Sequence, residues 1–494
     1  MDLEAYRREA EEFVSARDEA YYRHYAGLTA DLPLRELYER HAELFTPEAA
    51  GALRAQAADA RGDAGRGLRM LAGFAVEELL EAATRDRGDA LARAEAEATV
   101  RLDGRDLAYR QSAIVLANEA DRNQRRRLEA AREAVVEAEL NPLHLEIWTD
   151  QHALARELGA ASYRDLIERL AGIDLDALAR QCRALLDDTE ELYAREVDRA
   201  LRATAGVSLA EASRSDLPRL MRAVAFDPHF PGDRSVSALA RSLEGMGIDL
   251  ARQANVVLDV EPRPGKTPRA FCAPAVVPDR VYLVVFPRGG VDDYHALFHE
   301  AGHAEHYANV GRDLAFEFRY LGDASVTECY AFLFEGLTRD PAWLTGVLGY
   351  REHEDYVRHV AVLRLLQHRR YAAKLEYELK LHADGGLAGA SDRYAELLTG
   401  AVGFQWPSVL YLADVDPGFY AARYLRAWAL ETSLRGHLRE RFGTRWYTVR
   451  RAGGLLRELW HEGQRLDGDE LAGELDLPGI DLAVLSDEAH ALLG

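Results

Sequence analysis

The chain has 494 residues, with 61 basic and 83 acidic side chains, so its formal net charge is −22. A surface this acidic repels phosphate backbones and anionic lipid, which argues against nucleic acid or a membrane as a partner. With 48% hydrophobic residues, the chain has the composition of a globular protein and not of a disordered one.

The chain contains three cysteines, Cys182, Cys272 and Cys329, which are too few for a disulfide framework and match no Cys-based zinc pattern. Its first residues, MDLEAYRREAEEF, are acidic and amphipathic, unlike a secretory leader. No apolar run approaches the roughly 18 residues that a membrane-spanning helix needs. We therefore expect a cytoplasmic protein, as a monomer or a homodimer.

Most of the chain is predicted to be helical, because apolar residues recur at intervals of three and four. Examples are the stretches 68–82, 112–140 and 175–203. Short breaks such as Asp103-Gly104 separate these stretches. The pattern predicts a helical N-terminal half over residues 1–205 and a second half over 206–494 that carries the candidate chemistry.

A small sheet is predicted at about residues 254–287, where the chain becomes rich in Val, Pro and aromatic residues. The stretches 256–260, 270–277 and 281–286 have the composition of three short strands. After this segment the helical pattern resumes and continues to the C-terminus.

The sequence VDDYHALFHEAGHAEHYANVG follows, and it predicts a helix at about residues 292–310, with Asp292 or Asp293 as its cap. His299, Glu300 and His303 form an HExxH pattern on this helix. One helical turn separates the two histidines, so both project from one face and can bind one zinc ion. Glu300 would then lie beside the open coordination position, where it can take a proton from water.

A third zinc ligand is predicted at Glu328, which follows His303 by 25 residues. The stretch from Ser325 to Glu328 also has the spacing of a capping box, in which the carboxylate would only bind a backbone N–H. We favour the ligand role because the flanking apolar residues turn this helix towards the core. Glu335 returns to nearly the same face, either to orient a zinc-bound histidine or to lie in solvent.

Four stretches of the sequence resemble the zinc oligopeptidases of the thimet oligopeptidase and oligoendopeptidase F group. They are HEAGHAEH, the spacing of Glu328 and Glu335, PRAFCAPAVVPDRVYLVVFPRGGVDDYHALFHE, and DVDPGFYAARYLRAW at residues 414–428. The likeness to angiotensin-converting enzyme and its bacterial relatives is weaker. Direct likeness covers roughly residues 266–428.

The resemblance implies a mainly α fold of the gluzincin type, with a deep cleft between two helical halves and the small sheet beside the zinc helix. The N-terminal half would be one wall of that cleft. The resemblance also implies one zinc ion per chain, short peptides as substrates, and an edge strand around Ala270 and Phe271 that pairs with the substrate backbone. It assigns Tyr424, and less directly Tyr420, as phenols that hydrogen-bond the oxyanion.

One departure from the group's pattern concerns a histidine that relatives carry a few residues before the tyrosines. This chain has SVLYLADVDPGF there, with Asp414 and Asp416 and no histidine. Arg423 could replace it as a donor or bind a peptide carboxylate, or it could form an ordinary surface ion pair.

The leading interpretation is a zinc metalloendopeptidase that hydrolyses peptide bonds in short peptides. A second is a zinc carboxypeptidase or dipeptidyl carboxypeptidase, which would recognise the C-terminal carboxylate of its substrate. A third is a helical scaffold protein whose zinc site is structural or catalytically weak. An intact HExxH with Glu328 argues against a purely structural zinc, which four protein ligands more often close.

Overall fold

The computed structural model describes all 494 residues and is mostly helical. The helices, numbered in chain order, are α1 (Leu3–Tyr25), α2 (Leu34–Arg40), α3 (Pro47–Asp59), α4 (Gly62–Glu97), α5 (Tyr109–Asn118), α6 (Arg122–Val135), α7 (Asn141–Glu157), α8 (Tyr163–Ala171), α9 (Leu175–Asp188), α10 (Glu190–Ala205), α11 (Leu217–Arg222), α12 (Gly232–Gly245), α13 (Val291–Ala308), α14 (Phe316–Tyr320), α15 (Ala324–Glu335), α16 (Pro341–Trp343), α17 (Glu354–Leu381), α18 (Ala390–Val402), α19 (Tyr420–Phe442), α20 (Arg450–His461), α21 (Gly468–Glu474) and α22 (Ala483–Leu493). The strands are β1 (Thr99–Leu102), β2 (Arg105–Ala108), β3 (Val256–Asp259), β4 (Phe271–Val276) and β5 (Arg280–Val284).

Many helices begin at a side chain that accepts a hydrogen bond from a backbone N–H of the first turn, which satisfies a donor the helix cannot pair itself. These capping residues are Asp2, Thr46, Asp121, Ser162, Asp174, Asp323, Asp340 and Asp467. The caps also divide some predicted helices. The stretch 112–140 forms α5 and α6, with Asp121 at the start of α6, and 175–203 is interrupted at Thr189 between α9 and α10.

The chain forms two compact units. The first contains Met1–Val76, Val224–Val357 and Arg426–Val484. The second contains Glu77–Ala223, Arg358–Leu425 and Leu485–Gly494. The predicted division at residue 205 separates a helical half from the half that carries the candidate chemistry, and it stays a prediction.

The predicted small sheet lies in the first unit, and its strands match the expected stretches to within a few residues. Strand order is β3-β5-β4, with β3 parallel and β4 antiparallel to β5. Val281 and Val284 of β5 are fully buried, as expected for a central strand. Both α1 and α13 pack on β4. The sheet therefore supports the helix that carries the HExxH pattern.

A hairpin in the second unit was not predicted. Strands β1 and β2 pair in antiparallel register, with Leu102 opposite Arg105. Asp103 and Gly104 form the two-residue turn, with φ angles of 53° and 73°. An Asp-Gly pair is the usual signal for such a turn, because both residues must adopt left-handed conformations. The break expected at this pair is therefore a hairpin and not a link between two helices.

None of the helices has both the length and the apolar character needed to cross a lipid bilayer.

Candidate metal centre

The HExxH pattern lies on α13, which begins at Val291 and ends at Ala308, close to the predicted bounds. Its first N–H group has a partner outside the helix, since Val291 N donates to Asp227 Oδ1 at 3.1 Å. Asp293, one of the two capping residues that the sequence predicted, does not cap the helix. Its Oδ2 accepts from Arg288 N and Gly289 N, both at 2.8 Å, and so fixes the loop before the helix.

Glu328 lies in the first turns of α15, and the capping-box alternative does not apply to it. Asp323 is the capping residue, and its Oδ1 accepts from Ser325 N at 2.9 Å. Ser325 is fully buried inside the helix. The Glu328 carboxylate is therefore not used as a cap, and with 4% of the residue exposed it faces α13 from the packed side of α15.

The structure brings His299, His303 and Glu328 together. Glu328 Oε2 lies 3.4 Å from His299 Nε2 and 3.7 Å from His303 Nε2. One ligand atom from each residue falls within 4.8 Å of the others. Two imidazoles and one carboxylate at this separation match the ligand set of a catalytic zinc site, which leaves a coordination position open. These three residues are called the metal centre below.

The second ring nitrogen of each histidine has its own partner. His299 Nδ1 lies 3.1 Å from Glu335 Oε2, and His303 Nδ1 lies 2.9 Å from Thr327 Oγ1. Such partners fix the ring orientation and leave Nε2 for a metal. The sequence left two roles open for Glu335, and the structure shows the one in which it orients a histidine. The contact of Thr327 was missed, because a threonine next to Glu328 carries no pattern that signals it.

Glu335 also contacts a buried ion-pair chain. Its Oε1 lies 3.6 Å from Arg339 Nη1, and Arg339 Nη2 lies 3.7 Å from Glu431 Oε2. Glu431 is fully buried and pairs with Arg435 at 2.6 Å. This chain holds the carboxylate that orients His299.

Burial and charge shift the pKa values of these groups in opposite directions. Burial opposes a charge on His299, but hydrogen bonds to Glu328 and Glu335 outweigh it and raise the pKa to about 10. Burial lowers the pKa of His303 to about 4. Burial would raise the pKa of Glu335, but the hydrogen bond to His299 holds it at about 2. The centre therefore stabilises one positive charge on the His299 ring, between the carboxylates of Glu328 and Glu335.

Glu300 is held by the sheet. The backbone N–H of Cys272 in β4 donates to Glu300 Oε2 at 2.9 Å. Burial raises the pKa of Glu300 to about 7, although the charge on His299 and the Cys272 hydrogen bond lower it in part. A carboxylate whose pKa lies near neutral pH can both accept and return a proton, as a general base requires.

Strand β4 is an edge strand with β5 on one side only. Because Cys272 N donates to Glu300, the backbone groups of Cys272 turn away from β5, and those of Phe271 turn towards its partner Val284. The pairing of the strand around Ala270 and Phe271 with a substrate backbone stays a prediction. Ala270 precedes the strand and is buried. The unpaired edge of β4 includes the backbone of Cys272, whose N–H is bound to Glu300.

Tyr420, Arg423 and Tyr424 belong to the second unit, at the start of α19. The two tyrosine rings lie 4.9 Å apart, and Tyr371 of α17 stands 5.6 Å from Tyr424. Arg423 Nη2 pairs with Glu77 Oε1 at 3.2 Å. Of the roles considered for Arg423, this contact matches the ordinary ion pair. The action of Tyr420 and Tyr424 on a substrate stays a prediction. Residues 411–424 are called the tyrosine segment below.

Asp414 and Asp416 of the tyrosine segment, which stand where the sequence resemblance leads us to expect a histidine, are both engaged in ion pairs. Arg370 pairs with Asp414, and Lys374 Nζ lies 2.5 Å from Asp416 Oδ2. An ionised carboxylate only accepts hydrogen bonds, so neither aspartate can supply the donor that the missing histidine would have given.

The remaining residues near the pattern have structural roles. His306, the last residue of HEAGHAEH, is fully buried, and its Nε2 lies 3.2 Å from Gly463 O. It is not part of the metal centre. All three cysteines are free thiols, and Cys182 and Cys329 are buried as small core residues.

Comparison with known proteins identifies relatives by fold and not by sequence. No family model and no curated protein sequence matches the chain. A solved structure described as an oligoendopeptidase F from Bacillus anthracis str. Ames superposes with a TM-score of 0.67 at 15% identity, over 98% of this chain and 90% of the other. PZ peptidase A, solved with an inhibitor, gives 0.66 at 15% identity, over 98% and 91%.

The chain thus has the mainly helical fold of oligoendopeptidase F and PZ peptidase A over nearly its whole length. This result confirms the fold expected from the four stretches of sequence. An identity of 15% shows the fold alone, and activity has to be argued from the residues of this chain.

Proposed function

We propose that the protein is a zinc-dependent peptidase that hydrolyses peptide bonds in short peptides. The observation that carries the proposal is the convergence of His299, His303 and Glu328, with Glu300 fixed beside them. The fold shared with two peptidases supports it independently.

The donor set fits zinc. Imidazole nitrogen and carboxylate oxygen are ligands that zinc prefers, and two histidines with one glutamate are typical of metallopeptidases. His303 is neutral at neutral pH, as a ligand must be. A proton and a metal ion compete for His299 Nε2, and the two carboxylates around His299 would stabilise either positive charge.

Bound zinc would supply a Lewis acid that activates water and polarises the peptide carbonyl. Glu300 would accept a proton from the attacking water through its carboxylate and later return it to the leaving amine. The Cys272 N–H orients that carboxylate, and Glu335 and Thr327 orient the two histidine rings. Following the sequence resemblance, Tyr424 and Tyr420 would donate hydrogen bonds to the oxyanion.

The proposed substrate is an extended peptide of a few residues. An open strand edge can pair with a substrate backbone without reading its side chains. In β4 the Cys272 N–H is bound to Glu300, so at this residue the edge would offer its carbonyl and the peptide would supply the N–H donor. The net charge of −22 favours the approach of basic or neutral peptides over acidic ones, more strongly at low salt.

The test is to purify the protein, measure its zinc content, and assay quenched fluorescent peptides of graded length. We expect about one zinc per chain. Glu300→Gln keeps the side-chain shape but cannot take the proton, so hydrolysis should fall at least ~100-fold with zinc retained. Asp292→Asn, which changes an exposed acid on the same helix, is the matched control and should keep full activity.

Other outcomes separate the alternatives. Release of only single C-terminal residues or dipeptides, lost when the peptide is amidated, would favour the carboxypeptidase interpretation. Bound zinc with no cleavage of any peptide would favour the scaffold interpretation. Full activity of Glu300→Gln would assign the base to another carboxylate.

A further inference from the structure

Four side chains at intervals of four residues form one row along the C-terminal part of α17 and the residue just after it. They are Arg370, Lys374 and Glu378 on the helix and His382, which follows its last residue, Leu381. The last three are buried, and Glu378 and His382 have no exposed surface. Burying so many polar groups on one helix is costly unless each has a partner.

The ion-pair partners of this row lie in the tyrosine segment, whereas His382 Nδ1 lies 2.9 Å from His152 Nε2 of α7. Arg370 pairs with Asp414 at the upstream end, and Lys374 Nζ binds Asp416 Oδ2 at 2.5 Å. Asp416 N donates to Glu378 Oε1 at 3.3 Å. At the downstream end, the ring of Phe419 packs edge-on against His382 with centroids 5.2 Å apart. The row and the segment therefore run alongside each other for the length of the loop.

Lys374 is the central cation of this contact. Besides Asp416, it lies 3.8 Å from Glu378 Oε1 and 3.9 Å from Asp414 Oδ1. Burial raises the pKa of Glu378 to about 8, so this acid is mostly neutral at neutral pH. Two cations, Arg370 and Lys374, then balance two carboxylates, and a neutral side chain could not replace Lys374 without leaving Asp416 unpaired.

The loop that Lys374 holds has an unfavourable backbone just before the tyrosines. Gly418 and Phe419 have φ angles of 66° and 53°, and the left-handed region is unfavourable for phenylalanine. Gly418 N donates to Tyr163 OH at 3.0 Å, and Phe419 is 1% exposed. Helix α19 starts at the next residue, Tyr420. Side-chain contacts on both sides of the turn maintain this conformation.

We propose that Lys374 is a positioning residue, which fixes the tyrosine segment through Asp416 and so sets the place of Tyr420 and Tyr424. Its role in activity rests on the proposed function, because it acts through these two phenols. Lys374 and Asp416 then link the segment to α17.

The test compares wild type with Lys374→Met, which keeps the length of the side chain and removes the charge. Hydrogen exchange by mass spectrometry measures protection in peptides that cover residues 411–424. We expect exchange there to accelerate at least ~10-fold, with little change in the first unit. The matched control is Lys380→Met on the same helix, where an exposed lysine pairs only with Glu376 at 3.0 Å, and exchange should not change.

Activity is the second readout. With zinc content unchanged, Lys374→Met should lower kcat at least ~10-fold and change KM little, because the phenols act on the transition state. Asp416→Asn removes the negative charge of the same ion pair from the more exposed side, where 43% of the side chain is accessible, and it should act in the same direction if Lys374→Met does not fold.

Unchanged exchange over residues 411–424 in a folded Lys374→Met or Asp416→Asn protein would overturn the proposal, whether or not the wild type cleaves peptides. Accelerated exchange with an unchanged kcat would overturn the positioning role alone. A wild type without peptidase activity would refute the proposed function, and the exchange data would still decide whether Lys374 fixes the segment.

Discussion

The metal centre in the first unit and the tyrosine segment in the second differ in what holds their side chains. His299, His303 and Glu328 stand on two helices, α13 and α15, and each histidine has one hydrogen-bond partner behind it. The tyrosine segment begins in a loop that buried ion pairs fasten to α17. The difference teaches that helices already place their ligands, so that the hydrogen bonds and ion pairs behind them only orient the rings, whereas in an irregular loop the ion pairs hold the backbone itself.

The largest effect is expected at the metal centre. His303→Ala removes one of the three proposed zinc ligands, and alanine offers no atom that could replace it. The zinc content should therefore fall from about one ion per chain to below ~0.1. Elemental analysis after gel filtration measures it. His490→Ala changes an exposed histidine of α22 and should leave the content unchanged. Full zinc in His303→Ala would move the ligand set elsewhere.

The next effect belongs to the tyrosine segment. Tyr424→Phe removes one hydrogen-bond donor and keeps the ring, so kcat should fall by ~100-fold with KM nearly unchanged. Steady-state kinetics on one quenched peptide gives both constants. Tyr420→Phe, in the ring that contacts Tyr424, should have the smaller effect. A change in KM alone would reassign Tyr424 to substrate binding and weaken the proposed part of this segment in catalysis.

A smaller effect is expected at the residue behind His299. Glu335→Gln keeps a hydrogen-bond acceptor for His299 Nδ1 but loses the charge, so zinc affinity should fall by ~10-fold. Competition with a chelator measures the dissociation constant. Glu352→Gln, an exposed glutamate of the same unit, is the control. An unchanged affinity would show that the ring is fixed without this carboxylate, and the hydrogen-bond account of the metal centre would need revision.

The smallest effect concerns stability. In the unfolded chain Glu378 ionises near its ordinary pKa of 4.5, but in the folded protein burial raises the pKa to about 8. The folded state thus binds more protons between these values, and stability contributed by the neutral acid is lost as pH rises through this window. Glu378→Gln cannot ionise, so its Tm should decline less than that of wild type between pH 5 and pH 9, a window set by these two pKa values. Parallel Tm curves would exclude this titration.

The metal centre was predictable because its information is local. The spacing of His299 and His303 fixes one helix face, and a glutamate on a following core-facing helix fits the third position. Asp323 as the cap of α15 was not predictable, since Asp323 and Ser325 both have the chemistry of capping residues and only the packing selects one. The sequence therefore left two roles for Glu328, and the fold selects the one that faces the histidines.

Less of the second unit could be predicted. The row on α17 pairs residues that lie about 40 positions away in the chain, for example Lys374 with Asp416, and no periodicity signals such a contact. The hairpin at Thr99–Ala108 is a different case. Its Asp-Gly turn was visible in the sequence, but it was interpreted as a helix break because its strands have four residues each.

The hydrogen bond from Cys272 to Glu300 comes from the main chain, and this has a consequence for mutational tolerance. Alanine, serine or valine at position 272 all keep the N–H, so none of these exchanges should disturb the carboxylate. Proline is the one amino acid that lacks this group. In a saturation library at position 272, selection for the activity that depends on Glu300 should therefore deplete proline far more than substitutions that only change the thiol. Position 272 would then tolerate many side chains although its backbone N–H is required.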